Sequence, residues 1–374
     1  MGVDATFASF VLAGFECSSH RGRGGRRLDL LAATGHDRLA GQDYARLREH
    51  GIHAARDGVR WHLVEPEPDR LDWSSLRPML GAARESGVQV IWDLCHYGVP
   101  DWLDVWSPQF PERLARFAAA VAALVRDEGY GAAFYCPVNE ISFWAWAGGE
   151  VGHFGPFGLG RGAELKRQLV RAAAAATRAV RAVDPRARFI TAEPLIHVAS
   201  GTGDPLHAAE AEHHRLVQFE ACDMLCGRLE PELGGGEDVL DLVGVNFYPD
   251  NQWYLGNFTI PLGHHAHRPL SEMLAEVARR YGRRLLLAET GAEGAGRAAW
   301  LHYVGAEVRA AQAQGVAVEG VCLYPVLDYP GWEDDRPCQS GLWTEADRLG
   351  RRELHTGLAE ELAQQQQLFG GEAG

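Results

Sequence analysis

The chain has 374 residues, 46% of them apolar and 23% charged, a composition that fits a globular domain with a large core. Its formal net charge of −14 excludes the basic footprint that nucleic acid or an anionic membrane requires of a partner. A neutral partner such as a small carbohydrate stays open.

The chain opens without a basic start or a long apolar run, so no secretory signal is expected. The first apolar run, Ser9–Gly14, predicts a strand. A helix is expected over Asp37–His50. Strands follow at Ala54–Trp61 and Val88–Leu94, separated by a helix over Ser74–Glu85 that Gly87 terminates. Further strands are predicted at Ala132–Val138, Arg188–Thr191, Asp241–Val245, Leu285–Ala288 and Gly320–Leu323. Helices are predicted at Pro111–Asp127, Ala163–Val183, Leu206–Arg228, Leu270–Tyr281, Arg297–Gln314 and Glu353–Gln367. The strand runs are rich in Val, Ile, Leu and Phe with little polar alternation, as expected of parallel strands covered on both faces. Eight strands, each followed by a helix, predict an α/β fold: a single (β/α)8 TIM barrel over residues 1–374, with a fraying tail at 364–374. No apolar stretch is long enough to span a bilayer.

The seven cysteines are scattered and form no CxxC pair, so neither a zinc site nor a disulfide framework is expected. Cys95, Cys136 and Cys322 lie in apolar runs and read as buried, reduced thiols. A cytoplasmic location fits this usage. Eleven tryptophans serve core packing and also suit stacking on sugar faces. No Gly-rich dinucleotide fingerprint follows a strand, and no metal or organic cofactor is expected.

Two acidic residues carry the chemistry. Cys136-Pro-Val-Asn139-Glu140 delivers a carboxyl group to the end of the fourth strand, and Leu285-Leu-Leu-Ala-Glu289 does the same for the seventh. Taken alone, the first could be a helix cap and the second a solvated rim charge. Two carboxylates reaching one barrel mouth form the constellation that glycoside hydrolysis uses. One must stay protonated to assist the leaving group, and the other must be ionised. A separation of about 5–5.5 Å means retention of configuration, and about 6.5–9.5 Å inversion. Asn139, beside the first carboxylate, is placed to bind a sugar hydroxyl.

These stretches resemble motifs of glycoside hydrolase family 1, the β-glucosidase family, or a close relative in its barrel clan. Asn139-Glu140 is similar to the family's acid/base motif, and Ala288-Glu289-Thr-Gly291 to its nucleophile motif. Ala55-Arg56 through Trp61, His96 through Leu103, Gly244 through Tyr248 and Tyr324 through Trp332 resemble the motifs at strands two, three, six and eight. The resemblance covers nearly the whole chain. It implies a retaining β-glycosidase acting on O-glycosidic bonds, with Glu140 as acid/base and Glu289 as nucleophile. It further implies that Arg56 keeps Glu289 ionised, that Tyr248 hydrogen-bonds Glu289, and that His96 holds a sugar hydroxyl. Trp102, Trp144, Trp146 and Trp332 become candidates for sugar stacking, with packing as the reading for at least two. A transglycosidase, or a sugar-binding barrel without catalysis, would use the same residues.

The departures are specific. Gly14-Phe-Glu16-Cys-Ser-Ser-His20-Arg21 lacks the family's glucose-binding Gln, leaving Glu16, His20 or Arg21 to fill that space. Gly331 stands where the family has a second Glu, and Tyr324 where it has a stacking Trp. Glu333 and Asp334 lie close enough in sequence to compensate. The phosphate-binding pattern of phospho-β-glycosidases is absent after strand eight.

Overall fold

The structure is a computed structural model that describes residues 5–370 apart from Tyr130, Ala132 and Asn257. The predicted apolar runs become parallel strands: β1 (Val11–Gly14), β2 (Ala54–Gly58), β3 (Gln89–Asp93), β4 (Phe134–Cys136), β5, β6 (Val243–Asn246), β7 (Leu285–Thr290) and β8 (Val318–Leu323). β5 is broken into Arg188–Phe189 and Glu193–Pro194. Its first half pairs with β4 and its second with β6, and an Ile190–Leu242 bridge spans the break. Nine sheet segments are therefore eight strands, and the β1–β8 pairing completes the barrel.

Helices follow the strands: α1 (His36–Glu49), α2 (Arg77–Ser86), α3 (Phe110–Asp127), α4 (Gly162–Val183), α5 (Pro205–Leu216), α6 (Leu270–Tyr281), α7 (Arg297–Ala313) and α8 (Thr356–Gly370). Gly87, at φ 67°, ends α2 in the left-handed region that favours glycine. The helix expected over Leu206–Arg228 is interrupted by a tight turn at Val217–Phe219 before a short helix, Glu220–Leu225. The tail corrects an expectation. It does not fray from Gln364, because α8 continues to Gly370. Leu362 and Gln365 are buried, and Gln365 accepts a 2.5 Å hydrogen bond from Arg309. Residues 371–374 lie outside the described region, as does Ala132 at the start of the predicted fourth strand. Among the described residues, no helix is long and apolar enough to cross a membrane. All seven cysteines are unpaired, with Cys95, Cys136 and Cys322 buried.

Strand alternation separates two cores. Leu12, Ala54, Ile91, Phe134, Leu286 and Ala288 fill the barrel interior. Their chain neighbours Val11, Ala55, Val90, Leu285 and Leu287 face the helices. Each large apolar side chain so buried contributes about 1.5–3 kcal/mol. The interior is a packed plug, so substrate space must lie at an end of the barrel. The larger cavity, about 900 Å³, is beside strand N-termini and lined by Arg84, Arg186, Arg188 and Arg284. Among the described residues no carboxylate lines it, and neither Glu140 nor Glu289 borders it. A smaller one, about 250 Å³, is bordered by Tyr97, Trp144 and Phe157 at the opposite end, beside the loops that follow β1, β3 and β4.

Candidate active site

Period-two alternation alone would turn Glu289 outward with Leu285 and Leu287. It does not, because the β6–β7 register shifts between Leu287 and Glu289. This bulge re-aims the side chain inward. Glu289 Oε1 accepts from Arg56 Nη1 at 2.9 Å, and Oε2 accepts from the Tyr248 hydroxyl at 2.8 Å. Arg56 projects from β2 into the barrel and is fully buried. Its Nη2 also reaches Asp93 Oδ2 at 2.6 Å and Asn139 Oδ1 at 3.0 Å. Burial pushes the Glu289 carboxyl above its usual range, while Arg56 and then His96 pull it back.

Glu140 has a different environment. Its backbone has φ 43°, a left-handed conformation that non-glycine residues rarely adopt. The turn after it is fixed by Glu193 at the end of β5, which accepts from the Ile141 and Ser142 amides at 2.5 and 3.0 Å. Glu140 Oε1 accepts from Asn246 Nδ2 at 2.8 Å, and Oε2 accepts from the Tyr97 hydroxyl. No salt bridge reaches its carboxyl group among the described residues. Burial first, and the Glu289 charge second, push it up to about 8. One carboxyl group thus lies against a guanidinium while the other holds its proton near neutral pH.

Asn139 links the two. It is fully buried, and its amide orientation follows from Arg56 donating to Oδ1. Nδ2 then donates to His96 Nε2 at 3.0 Å and to the Tyr97 hydroxyl at 3.1 Å. Both amide hydrogens are engaged within the protein. His96 Nδ1 lies 2.9 Å from Asp93 Oδ2.

Glu16 enters the same mouth from the loop after β1. It accepts from the Ser18 amide and hydroxyl at 3.0 and 2.5 Å, and lies 4.0 Å from His96 Nε2. Tyr324 is buried with its ring 5.3 Å from the Arg56 guanidinium. A Cβ at Gly14 would come within 1.9 Å of Tyr324, so only glycine leaves room for that ring. Trp332 is half-buried against His20, Tyr97, Phe143 and Phe154. The neighbouring imidazole of His20 is buried, with Nδ1 unpartnered, and burial lowers it to about 3.

Other candidates lie elsewhere. Arg21 turns to the rim and pairs with Asp101 at 2.5 Å. Trp102 donates to the Glu65 carbonyl, and buried Trp144 to the Gly155 carbonyl. Trp144 also borders the smaller cavity, its ring 5.9 Å from that of Tyr97. Trp146 is half exposed beside Phe143. Glu333 and Asp334 are exposed.

Tyr97, Asp93, Asn246 and Glu193 were not singled out in the sequence. Asp93 had a readable signal, as the acid closing an apolar strand just before His96. Tyr97 lay within the His96–Leu103 stretch but was given no role of its own, and Glu193 had no signal. Cys17, Asp93 and His96 offer ligand atoms within 4.8 Å of one another. Arg56 already neutralises Asp93, which opposes a cation there.

No family model matches the chain, and no curated protein sequence does. Solved structures do match over nearly its full length. The chain is similar to the β-glycosidase from the hyperthermophile Thermosphaera aggregans, at 17% identity over 98% of this chain and 97% of that one, with a TM-score of 0.77. It is similar to the family 1 β-glucosidase from Thermotoga maritima, at 14% identity over 95% and 96%, TM-score 0.75. The AHE enzyme from Alicyclobacillus herbarius matches at 19% identity over 96% and 98%, TM-score 0.76. The fold is thus the TIM barrel of these enzymes.

Proposed function

We propose that the protein is a retaining β-glycosidase hydrolysing O-glycosidic bonds of a small carbohydrate substrate. The observation that carries this reading is the contrast between the carboxyl groups. Glu289 is held by Arg56 and Tyr248, whereas Glu140 lacks a cation and is pushed up to about 8. Glu289 attacks the anomeric carbon while Glu140 gives its proton to the leaving oxygen. Glu140 then takes a proton from water, which releases the sugar from the glycosyl ester.

Arg56, His96 and Asn139 form the floor that orients this pair. Glu16, Tyr324 and Trp332 shape the sugar space. The chain has no second Glu at Gly331 and no Gln after β1, so simple β-glucosides are expected to be poor substrates. Each buried hydroxyl left unpartnered costs about 1–3 kcal/mol.

The test is a panel of nitrophenyl β-glycosides with the anomer of the first product read by NMR. Retention is expected. An inverted product, or no turnover of any glycoside by folded protein, would remove the proposal. Azide should rescue Glu289→Gly and yield a glycosyl azide of inverted configuration.

A further inference from the structure

The acid/base carboxyl group has a neighbour that neither composition nor spacing suggested. The Tyr97 hydroxyl donates to Glu140 Oε2 and accepts from Asn139 Nδ2. Through Asn139 Oδ1 and Arg56, the same chain of hydrogen bonds reaches Glu289 Oε1. Tyr97 thus joins the two carboxyl groups through two intervening side chains.

The geometry of Tyr97 is enforced. Its φ of 63° is left-handed, an outlier for a bulky aromatic residue. The next residue, Gly98, presses on the loop after β1, where a Cβ would meet Ser19 Oγ at 1.9 Å. The phenol ring is caged by Phe143, Trp144, Phe154 and Trp332, with ring centroids 5.4 to 5.9 Å away. A side chain so enclosed cannot swing away without unpacking that cage. Strain of this kind persists where the surroundings over-determine it, and it concentrates at functional sites.

We propose that Tyr97 is a positioning residue for the acid/base: its hydroxyl clamps the Glu140 carboxyl group and favours the ionised form against burial. Its catalytic meaning rests on the glycosidase reading; the clamp itself does not. The groups facing Glu140 come from several elements. Glu289 on β7 and Glu193 on β5 push its proton affinity up. Tyr97 and Asn246 pull it down by donating one hydrogen bond to each oxygen. Tyr248, Arg56, His96 and Glu16 complete the charged and titratable surroundings through their contacts with Glu289 and Tyr97. Each carboxyl oxygen keeps a second lone pair, and the transferable proton sits on one of these. The donor count at Glu140 thus allows proton release in the first half-reaction and uptake in the second.

The experiment is an infrared titration of the ligand-free protein. The protonated-carboxyl stretch that disappears in Glu140→Gln identifies the group. In Tyr97→Phe its midpoint should rise by roughly one pH unit, the scale of one hydrogen bond to a charged group. The alkaline limb of kcat/KM should rise with it. A folded Tyr97→Phe protein with an unmoved midpoint overturns the proposal, even if its activity is lost, since that outcome leaves Tyr97 only a packing role. A 3-fluorotyrosine incorporated at Tyr97 keeps the packing and sharpens the donor, so the midpoint should fall. No change or a rise there overturns the proposal even where Tyr97→Phe does not fold. A shifted midpoint in a protein that hydrolyses no glycoside supports the clamp and removes the glycosidase reading instead.

Discussion

Arg56 and Asp57 are neighbours on β2, and each belongs to a buried charge cluster on its own face of the sheet. The outer cluster lies between β2 and α1. His36 Nε2 meets Asp57 at 2.8 Å and His36 Nδ1 meets Asp43 at 2.9 Å. The Tyr44 hydroxyl donates to Asp57 at 2.5 Å, while Arg46 and Arg352 pair with Asp43 at 2.7 and 2.8 Å. The inner cluster has Arg56 shared between Asp93 and Glu289, with Glu16 and Glu140 outside its salt bridges. In the outer cluster each carboxylate has a cationic partner, His36 for Asp57 and His36, Arg46 and Arg352 for Asp43. In the inner one Glu140 meets hydroxyl and amide donors but no cation among the described residues, and burial, then the Glu289 charge, push its carboxyl group up to about 8. On the proposed function, the cluster saturated with cations is structural and the one short of them is reactive.

Replacing Glu289, the proposed nucleophile, should separate the two clusters most sharply. Glu289→Gln keeps the shape but cannot form the glycosyl ester, so turnover should fall by about 10⁴ or more with the fold intact. Circular dichroism and a glycoside assay check this together. Substantial activity in the variant would break the assignment of the inner cluster as reactive.

The proton on Glu140 gives the next effect. With its carboxyl raised to about 8, the acid form dominates below that pH and is lost as pH rises through it. The alkaline limb of kcat/KM should therefore fall near pH 8. Glu140→Gln should abolish that limb and lower the rate by about 10²–10⁴ on substrates with poor leaving groups. Activated aryl leaving groups should suffer less, because they need little protonation. An unchanged limb in Glu140→Gln would assign it to another group.

The outer cluster should respond in stability alone. Burial opposes a charged His36, but Asp57 and Asp43 outweigh it and raise its pKa from 6.5 to about 9. Its contribution is complete below about pH 6.5 and is lost as pH rises through about 9. His36→Asn should cost about 3–5 kcal/mol near neutral pH, since it leaves buried Asp57 without a cation, with only the Tyr44 hydroxyl on its Oδ2, while Asp43 keeps Arg46 and Arg352. Denaturant titrations should show wild-type stability falling across this window and the variant's nearly flat. Equal slopes would show that the imidazole is not the charge that balances Asp57.

The sequence exposed the barrel through the apolar strand runs and their spacing, and it exposed Glu140 and Glu289 because strand ends must deliver side chains to the mouth. Three things stayed hidden for physical reasons. The bulge that turns Glu289 inward depends on register with β6, a pairing between distant segments. Glu193 supports Glu140 only because the break in β5 carries it beside the next turn. Tyr97 reads as an ordinary aromatic until its left-handed backbone is known. The expected fraying at Gln364 failed because a polar run can still dock when one member, here Gln365, finds a buried partner.

The smallest expected effect concerns the wall of the inner site. The resemblance suggests that Gly331→Glu would restore a carboxylate for outer glucose hydroxyls and shift preference toward β-glucosides. The local geometry limits the gain. A Cβ at Gly331 would lie 2.6 Å from Asp334 Oδ1 and 3.3 Å from Arg336 Cγ. Asp334 is exposed, and the 3.2 Å hydrogen bond its Oδ1 accepts from the Arg336 amide is exposed too and can yield to water, so the substitution should be tolerated. The new carboxylate would then compete for Arg336, which already pairs with Glu293 at 2.5 Å. Held at that rim, it would meet a sugar hydroxyl only part of the time, and it would add negative charge to a mouth already short of cations. The ratio of efficiencies on nitrophenyl β-glucoside and other β-glycosides should therefore rise less than about tenfold, below a full hydrogen bond to a charged group. A hundredfold rise would show that Arg336 does not restrain the side chain and that a missing carboxylate was the main barrier to glucosides. No rise, with the fold intact, would place the sugar's outer hydroxyls away from Gly331.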